Sequence, residues 1–165
     1  MTKSLRRFIS PGIPTFAGVM LALVIALPAS GAILHFAATL DGLQEVPPNN
    51  SPATGTADVI LDDVANTITV DLHFQGLVAP QTAAHIHGPA PPGVNAGVLV
   101  GFPVGQFDNM VFPITDVIEG HIKNNLTYVN VHSTTFPGGE IRGQLLPQPV
   151  SVEENTWSQI KALYH

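Results

Sequence analysis

Cysteine is absent from the 165-residue sequence. Its absence excludes disulfide bonds, thiol catalysis and a lipid-modified cysteine, so any bound metal must be held by histidine, carboxylate or carbonyl groups. Stability must therefore come from the packing of apolar side chains. The segment that follows the first 32 residues, about 130 residues long, is large enough to bury an ordinary hydrophobic core.

Basic residues are scarce, since six Lys and Arg residues stand against twelve Asp and Glu residues. Three of the six, Lys3, Arg6 and Arg7, lie near the N-terminus. The segment from residue 33 onward keeps three basic and all twelve acidic residues, for a formal charge of −9 with histidine neutral. Such a charge repels phosphate backbones, so no nucleic-acid partner is expected, and binding to anionic lipid is disfavoured.

A long hydrophobic run is also missing. The apolar run from Phe16 to Leu27 has about 12 residues, fewer than the roughly 20 that a helix needs to cross a bilayer. Basic residues precede this run and small residues follow it, which is the order of a secretory signal peptide. Residues 1–32 are therefore predicted to be a signal peptide with cleavage after Gly31 or Ala32, and the protein is expected to be secreted or otherwise extracytoplasmic. A retained leader that anchors the protein to a membrane is the alternative.

Signatures of common catalytic sites are missing too. The sequence contains no G-x-S-x-G elbow, no H-E-x-x-H helix and no phosphate-binding glycine loop. Ser133 follows His132, but adjacent residues of a strand point to opposite faces, which disfavours a catalytic Ser-His pair. The sequence favours a binding module over an enzyme and names no catalytic residue.

What the sequence does contain is a series of short strand-like segments separated by Gly, Pro, Asn and Asp. Strict alternation is clearest from Thr67 to Leu77, where Ile68, Val70 and Leu72 share one face, as in a half-buried strand. About eight such segments predict one all-β domain over residues 33–146, an eight-stranded antiparallel Greek-key β-sandwich. One of the predicted strands runs from Val111 to Ile118.

The C-terminal segment has a different character. Prolines at 147 and 149 form a stiff linker, and Ser151 with Glu154 fits a capping box at the start of a helix. Trp157, Ile160 and Tyr164 then recur at helical spacing. Residues 147–165 are predicted to be a linker and a short amphipathic helix, which either packs on the sandwich or serves as a docking or sorting tail.

Three histidines form the strongest candidate for a chemical site. His85 and His87 project from the same face of a strand because side chains repeat every two residues, and His132 ends another alternating strand. If the two strands are neighbours, three imidazoles converge, a ligand set that suits copper or zinc and leaves a coordination position open. The alternative is structural: the histidines and Asn130 hydrogen-bond loop backbone and tie a proline-rich loop to the sheet.

Three further residues are predicted to support this site. Arg142 lies on the polar face of the last predicted strand and is a candidate to hold an anion near the metal. Asn130 shares a strand face with His132. His73 lies on the polar face of its strand, where it either faces solvent or joins the cluster as an outer-shell partner.

Five ordered motifs closely resemble the chordin-domain (CHRD) family over roughly residues 36–146. They are LDGLQEVPP at 40–48, ADVIL at 57–61, HIHGPA at 85–90, YVNVHS at 128–133 and PGGEIRGQL at 137–145. The family includes animal antagonists of bone morphogenetic proteins and many exported microbial proteins of unassigned role. The resemblance implies an extracellular location and a β-sandwich more firmly than it implies an activity.

A weaker likeness is to copper-zinc superoxide dismutases, which share a Greek-key sandwich and a His-x-His strand. By position, His85 and His87 match the paired copper ligands, His132 the later copper ligand and Arg142 the anion-guiding arginine. The bridging histidine, the zinc loop and the disulfide of that family are missing here, because no histidine lies between His87 and His121 and no cysteine is present. The likeness therefore implies a three-histidine copper site, with zinc less favoured, rather than full dismutase activity.

The sequence thus predicts an exported CHRD-domain binding module with a three-histidine copper site. Two alternatives stay open: a copper redox enzyme directed at superoxide or peroxide, and a metal-free module that binds an extracellular protein partner. Contact with a membrane is expected only if the leader is retained.

Overall fold

The computed structural model describes residues 31–149, so the predicted leader and the predicted C-terminal helix lie outside the described residues. Nine strands, one 3-10 turn and one α-helix make up this segment. They are β1 (Ile33–Asp41), the 3-10 turn (Gly42–Gln44), β2 (Thr54–Asp62), β3 (Thr67–Gln75), β4 (Gln81–His87), β5 (Val98–Phe102), β6 (Phe107–Pro113), α1 (Asp116–Lys123), β7 (Tyr128–Ser133), β8 (Ile141–Gln144) and β9 (Leu146–Pro147).

Strands β1, β2 and β3 form an antiparallel meander in continuous register. The turn between β2 and β3 is closed by Asp62, whose carboxylate accepts hydrogen bonds from the backbone N–H groups of Val64 and Ala65. The alternation predicted for β3 is confirmed, because Ile68, Val70 and Leu72 are fully buried. One face of this meander therefore forms a wall of the hydrophobic core.

The whole sheet runs in the order β5-β4-β7-β8-β1-β2-β3-β6, and the short β9 pairs with β1. Three pairs of strands that are neighbours in the sheet, β3–β6, β4–β7 and β8–β1, are not consecutive along the chain. The chain therefore makes Greek-key crossings between two groups of strands. The predicted all-β Greek-key fold is confirmed, with eight strands in the continuous path and the two-residue β9 in addition. For the site, the important consequence is that β4 and β7 are direct neighbours.

The two ends of the strand path, β5 and β6, approach each other through aromatic side chains. The ring of Phe102 lies 5.5 Å from that of Phe107 and 5.0 Å from that of Phe112, measured between centroids. Phe102 is only 9% exposed. The three rings fill the gap between the edge strands, so the core is closed on this side without a ladder of hydrogen bonds.

One predicted strand is wrong in its second half. Strand β6 ends at Pro113, and residues 116–123 form helix α1 instead of continuing the strand to Ile118. Thr115 caps the helix by accepting a hydrogen bond from the backbone N–H of Ile118, and Ile122 is fully buried against the core. The apolar residues 117, 118 and 122 have helical rather than alternating spacing, which is the signal that the strand prediction overlooked.

Among residues 31–149, no helix has both the length and the hydrophobicity required to span a membrane.

Candidate metal centre

The site is built by strand pairing. Strands β4 and β7 pair antiparallel, with His85 opposite Asn130 and His87 opposite Tyr128. His132 lies two residues beyond Asn130 on the same face of β7, diagonal to His85. Because directly opposed residues share a face of the sheet, all three histidines project from one face. We refer to His85, His87 and His132 as the histidine cluster.

The structure brings the three imidazoles of the cluster together. Nδ1 of His85 lies 3.1 Å from Nε2 of His132, and one nitrogen from each ring lies within 4.8 Å of the other two. A single ion at about 2.0–2.1 Å from three nitrogens requires nitrogen separations of about 3.3–3.6 Å. Side-chain movements of about 1 Å or less would therefore suffice for all three rings to share one metal, within the distances of imidazole ligation.

Backbone carbonyls determine which nitrogen of two rings is free. Nδ1 of His87 lies 3.0 Å from the carbonyl oxygen of Ala96, and Nδ1 of His132 lies 3.0 Å from that of Pro137. A carbonyl can only accept, so each Nδ1 must carry the proton and each Nε2 must present a lone pair. This arrangement, an Nδ1–H bound to a carbonyl, is the usual support of a metal-ligating histidine.

The free nitrogen of His87 has no partner. Its Nε2 atom is buried and makes no hydrogen bond to the described residues. Burial of an unpaired polar atom costs free energy. A metal ion shared with the other two rings is one group that would satisfy this nitrogen.

Burial also keeps the cluster neutral. The pKa values of His85, His87 and His132 all lie below the usual histidine value, and in each case desolvation is the largest cause. Repulsion between neighbouring rings lowers the pKa of His85 and His87 further. Neutral imidazole is the form that binds metals, so the cluster is held in the state that ligation needs.

Tyr128 links the cluster to Arg142. The Tyr128 ring stacks on the His87 ring, with centroids 5.0 Å apart and planes within 5° of parallel. The guanidinium carbon of Arg142 lies 3.5 Å from the centroid of the same Tyr128 ring. Tyr128 stands on β7, between the strands that carry His87 and Arg142, so the arginine is behind the tyrosine as seen from the histidines.

The loop after β4 is held by this same stack. Arg142 donates hydrogen bonds to the carbonyl oxygen of Val94 and to Oδ1 of Asn95, and the backbone N–H of Ala96 donates to the Tyr128 hydroxyl. Ala96 also supplies the carbonyl that fixes the tautomer of His87. Arg142 and Tyr128 therefore help to place the backbone group that orients a cluster histidine.

Asn130 connects the cluster to a buried carboxyl group. Its side chain is 3% exposed, and its Nδ2 donates a long hydrogen bond of 3.5 Å to Oε2 of Glu45. Desolvation raises the pKa of Glu45 to about 7, against the opposing attraction of Arg142. Asn130 thus lies between the histidines and the Glu45–Arg142 pair, since it is opposite His85 on β4 and opposite Arg142 on β8.

His73 is not brought to the cluster. It lies on β3, half-exposed, and its Nε2 is 2.8 Å from Oδ1 of Asp108. Its predicted outer-shell role gains no support from this position, which matches the solvent-facing alternative. Arg142, by contrast, is 2% exposed. The Tyr128 ring separates it from the histidine cluster, so it does not lie at the exposed side of His85.

Three functional groups could not be assigned from the sequence. Glu45 precedes Val46-Pro47 in a segment that looks like an exposed loop, and nothing in its neighbours indicates burial. The carbonyls of Ala96 and Pro137 belong to loops whose paths only the folded chain defines. Tyr128 could have been included, because it alternates with Asn130 and His132 on one strand face.

Fold and site together define a small Greek-key β-sandwich domain with a histidine cluster, two of whose three members are buried, at one end of two neighbouring strands. The CHRD domain family matches residues 36–145, and the chain belongs to that family. CHRD domains are in general extracellular-type binding modules that take part in protein interactions. Searches of curated proteins and of solved structures give no match.

Proposed function

We propose that this domain is an extracytoplasmic copper-binding module in which His85, His87 and His132 are the metal ligands. The observation that carries the proposal is the convergence of three imidazole nitrogens within 4.8 Å of one another. The carbonyl-bound Nδ1 atoms of His87 and His132 support it, because they turn both Nε2 lone pairs into available ligands.

Copper is favoured over zinc by the ligand set. Among divalent ions, copper is bound more tightly than zinc by a given set of nitrogen ligands. A structural zinc site is closed by four protein ligands, whereas the cluster in residues 31–149 offers three. Binding is favoured over redox catalysis of anionic substrates, because the guanidinium of Arg142 is engaged with Val94 and Asn95 and is separated from the histidines by Tyr128.

The test is copper binding by the full chain after treatment with a chelator. We expect one copper per chain by elemental analysis and titration, with loss of at least 90% of it in His87→Gln and in His132→Gln. His73→Gln is the matched control, since His73 is a half-exposed strand histidine outside the cluster, and it should retain stoichiometric copper.

Circular dichroism and denaturant unfolding establish that each variant is folded before its metal content is compared. Absence of copper from the parent protein would overturn the proposal and favour a structural histidine cluster in a protein-binding module. Retention of copper by both folded cluster variants would overturn the ligand assignment.

A further inference from the structure

We infer that the histidine cluster holds copper as the cuprous ion, Cu(I), in preference to Cu(II). This inference rests on the proposed copper-binding function and goes beyond it by naming the oxidation state of the ligand. Three features carry it: the charge of the ligands, the buried cation behind Tyr128 and the number of nitrogens available.

The ligand set is uncharged. The cluster consists of three imidazoles and includes no carboxylate within residues 31–149, and the chain has no thiolate. His87 and His132 are each 8% exposed, so an ion bound there loses most of its hydration. The desolvation cost of an ion grows with the square of its charge, so a divalent ion pays about four times the cost of a monovalent ion of equal size. With no anionic ligand to compensate, the lower charge is favoured.

The buried guanidinium of Arg142, on the far side of Tyr128 from the cluster, also favours Cu(I) over Cu(II). Arg142 is buried, and among residues 31–149 no carboxylate oxygen lies within 4.0 Å of its guanidinium nitrogens. Its guanidinium carbon lies 3.5 Å from the centroid of the Tyr128 ring, and the His87 ring is stacked on that same ring with centroids 5.0 Å apart. Since Coulomb energy is proportional to charge, the same arginine repels Cu(II) twice as strongly as Cu(I).

The number of ligands points the same way. Cu(II) takes tetragonal sites with at least four nitrogen or oxygen ligands. The hydroxyl of Tyr128 is engaged with Ala96. The side-chain oxygen of Asn130 has no hydrogen-bond partner among the described residues, but it lies against Gly139, where a Cβ atom would be 2.5 Å away, and serving as a fourth ligand would require it to turn from there. His85 is the least buried of the three residues, so a water ligand would enter beside it. A filled-shell Cu(I) ion has no geometric preference of this kind and accepts three nitrogens.

One group opposes this preference. Glu45 carries a carboxyl group whose charge acts on Arg142, and burial raises its pKa to about 7. When ionised it would neutralise part of the arginine charge and favour Cu(II). It touches Asn130 rather than a histidine, so it weakens the preference without reversing it.

The experiment compares the two oxidation states on the same folded protein at pH 7. Affinity for Cu(I) is measured without oxygen, in ascorbate, by competition with bicinchoninate, and affinity for Cu(II) by competition with nitrilotriacetate. We expect a dissociation constant at least 100-fold smaller for Cu(I). The reduction potential of the bound copper should lie above that of aqueous copper by about 59 mV for each tenfold difference in affinity.

Two substitutions test the cause. Arg142→Gln should reduce the ratio of Cu(I) to Cu(II) affinity about tenfold, whereas Arg142→Lys, which keeps the charge, should reduce it less. Glu45→Gln removes the opposing carboxylate and should raise the ratio at pH 8. Since Arg142 is buried and its variants could misfold, the ratio in the parent protein decides by itself.

The outcomes separate the two proposals. Binding of neither ion would overturn the copper-binding function. Binding of Cu(II) as tightly as Cu(I), or more tightly, would leave that function intact and overturn the cuprous preference. A ratio that is unchanged in folded Arg142→Gln would overturn the role given to the buried arginine.

Discussion

The sequence does not show which nitrogen of a histidine ring carries the proton, and in this cluster single backbone contacts decide it. The carbonyls of Ala96 and Pro137 each bind an Nδ1–H, which leaves the Nε2 atoms of His87 and His132 available for a metal. His85 has no such carbonyl contact among the described residues, and its Nδ1 faces Nε2 of His132 instead. The metal-free cluster therefore holds one shared proton at the point where a metal would bind.

Gly139 allows the buried Glu45–Asn130 contact to form. Its φ angle is +137°, and a Cβ atom at this position would lie 2.5 Å from the amide atoms of Asn130 and from Oε1 of Glu45. Gly139→Ala is expected to lower the free energy of unfolding by about 2–4 kcal/mol, because strain and overlap add. Urea unfolding followed by fluorescence measures this change.

The neighbouring glycine supplies the control for that experiment. A Cβ atom at Gly138 would meet no heavy atom within 4 Å, so Gly138→Ala should change the free energy of unfolding by no more than about 0.5 kcal/mol. Equal effects of the two substitutions would show that the close approach at Gly139 does not restrict the structure.

The histidine cluster was predictable from spacing, but its buried surroundings were not. The alternation of His85 with His87, and of Asn130 with His132, places each pair on one strand face, and family likeness makes the strands neighbours. The burial of Glu45 depends on contacts with residues more than 80 positions away, made possible by a glycine conformation. Local sequence carries no information on such contacts.

At the level of elements, the sequence pattern predicted the wrong structure at the junction of β6 and α1. Pro113 ends the strand and Thr115 begins the helix, yet the apolar residues between 111 and 118 fit a strand if the proline is tolerated. An eight-residue helix gives only two turns of periodicity, so its pattern is short compared with the nine-residue alternation of β3. Long alternating strands were therefore predicted well, and the short helix was not.

The prediction at the scale of elements concerns the aromatic contact between β5 and β6, the two edge strands of the sheet. Phe102, Phe107 and Phe112 close the gap between β5 and β6, which share no ladder in the strand path. Phe102→Ala should therefore cost about 3–5 kcal/mol of folding free energy, through lost burial and the cavity that remains. Chemical denaturation is the measurement, with the slope compared between variants so that a changed unfolded state is recognised.

Val111→Ala is the matched control on β6, because Val111 is 59% exposed, and its effect should stay within about 0.5 kcal/mol. A cost below about 1 kcal/mol for Phe102→Ala would contradict the view that the aromatic cluster closes the sandwich.

At the scale of the whole molecule, the histidine cluster and the buried Glu45 change the free energy of unfolding in opposite directions as pH rises. The three cluster histidines have lowered pKa values, so the unfolded chain takes up protons more readily than the folded one. Their contribution to stability is therefore present above the unfolded histidine pKa of about 6.5 and is lost as pH falls. Glu45 has a raised pKa of about 7, so its contribution is present below the ordinary glutamate pKa of 4.5 and is lost as pH rises to 7.

Glu45→Gln separates these two contributions. The substitution removes the raised carboxyl pKa and leaves the histidines, so the variant's free energy of unfolding should rise with pH up to about 6.5 and then level off. Relative to the parent, the variant should gain little at pH 4.5 and on the order of 3 kcal/mol at pH 8, since the pKa of Glu45 is raised from 4.5 to about 7 and one unit of pKa shift corresponds to about 1.4 kcal/mol. Metal-free protein in urea, at four values between pH 4.5 and 8, provides the measurement.

Asp58→Asn is the matched control, since Asp58 is exposed on β2 and its replacement should leave the pH profile of the parent unchanged. A difference between Glu45→Gln and the parent that does not vary with pH would show that the pKa of Glu45 is the same in the folded and the unfolded chain, so that Glu45 is ionised in the folded protein at pH 7. In that case Glu45 would stand as a full negative charge beside Arg142, and the positive field that favours Cu(I) at the histidine cluster would be correspondingly weaker.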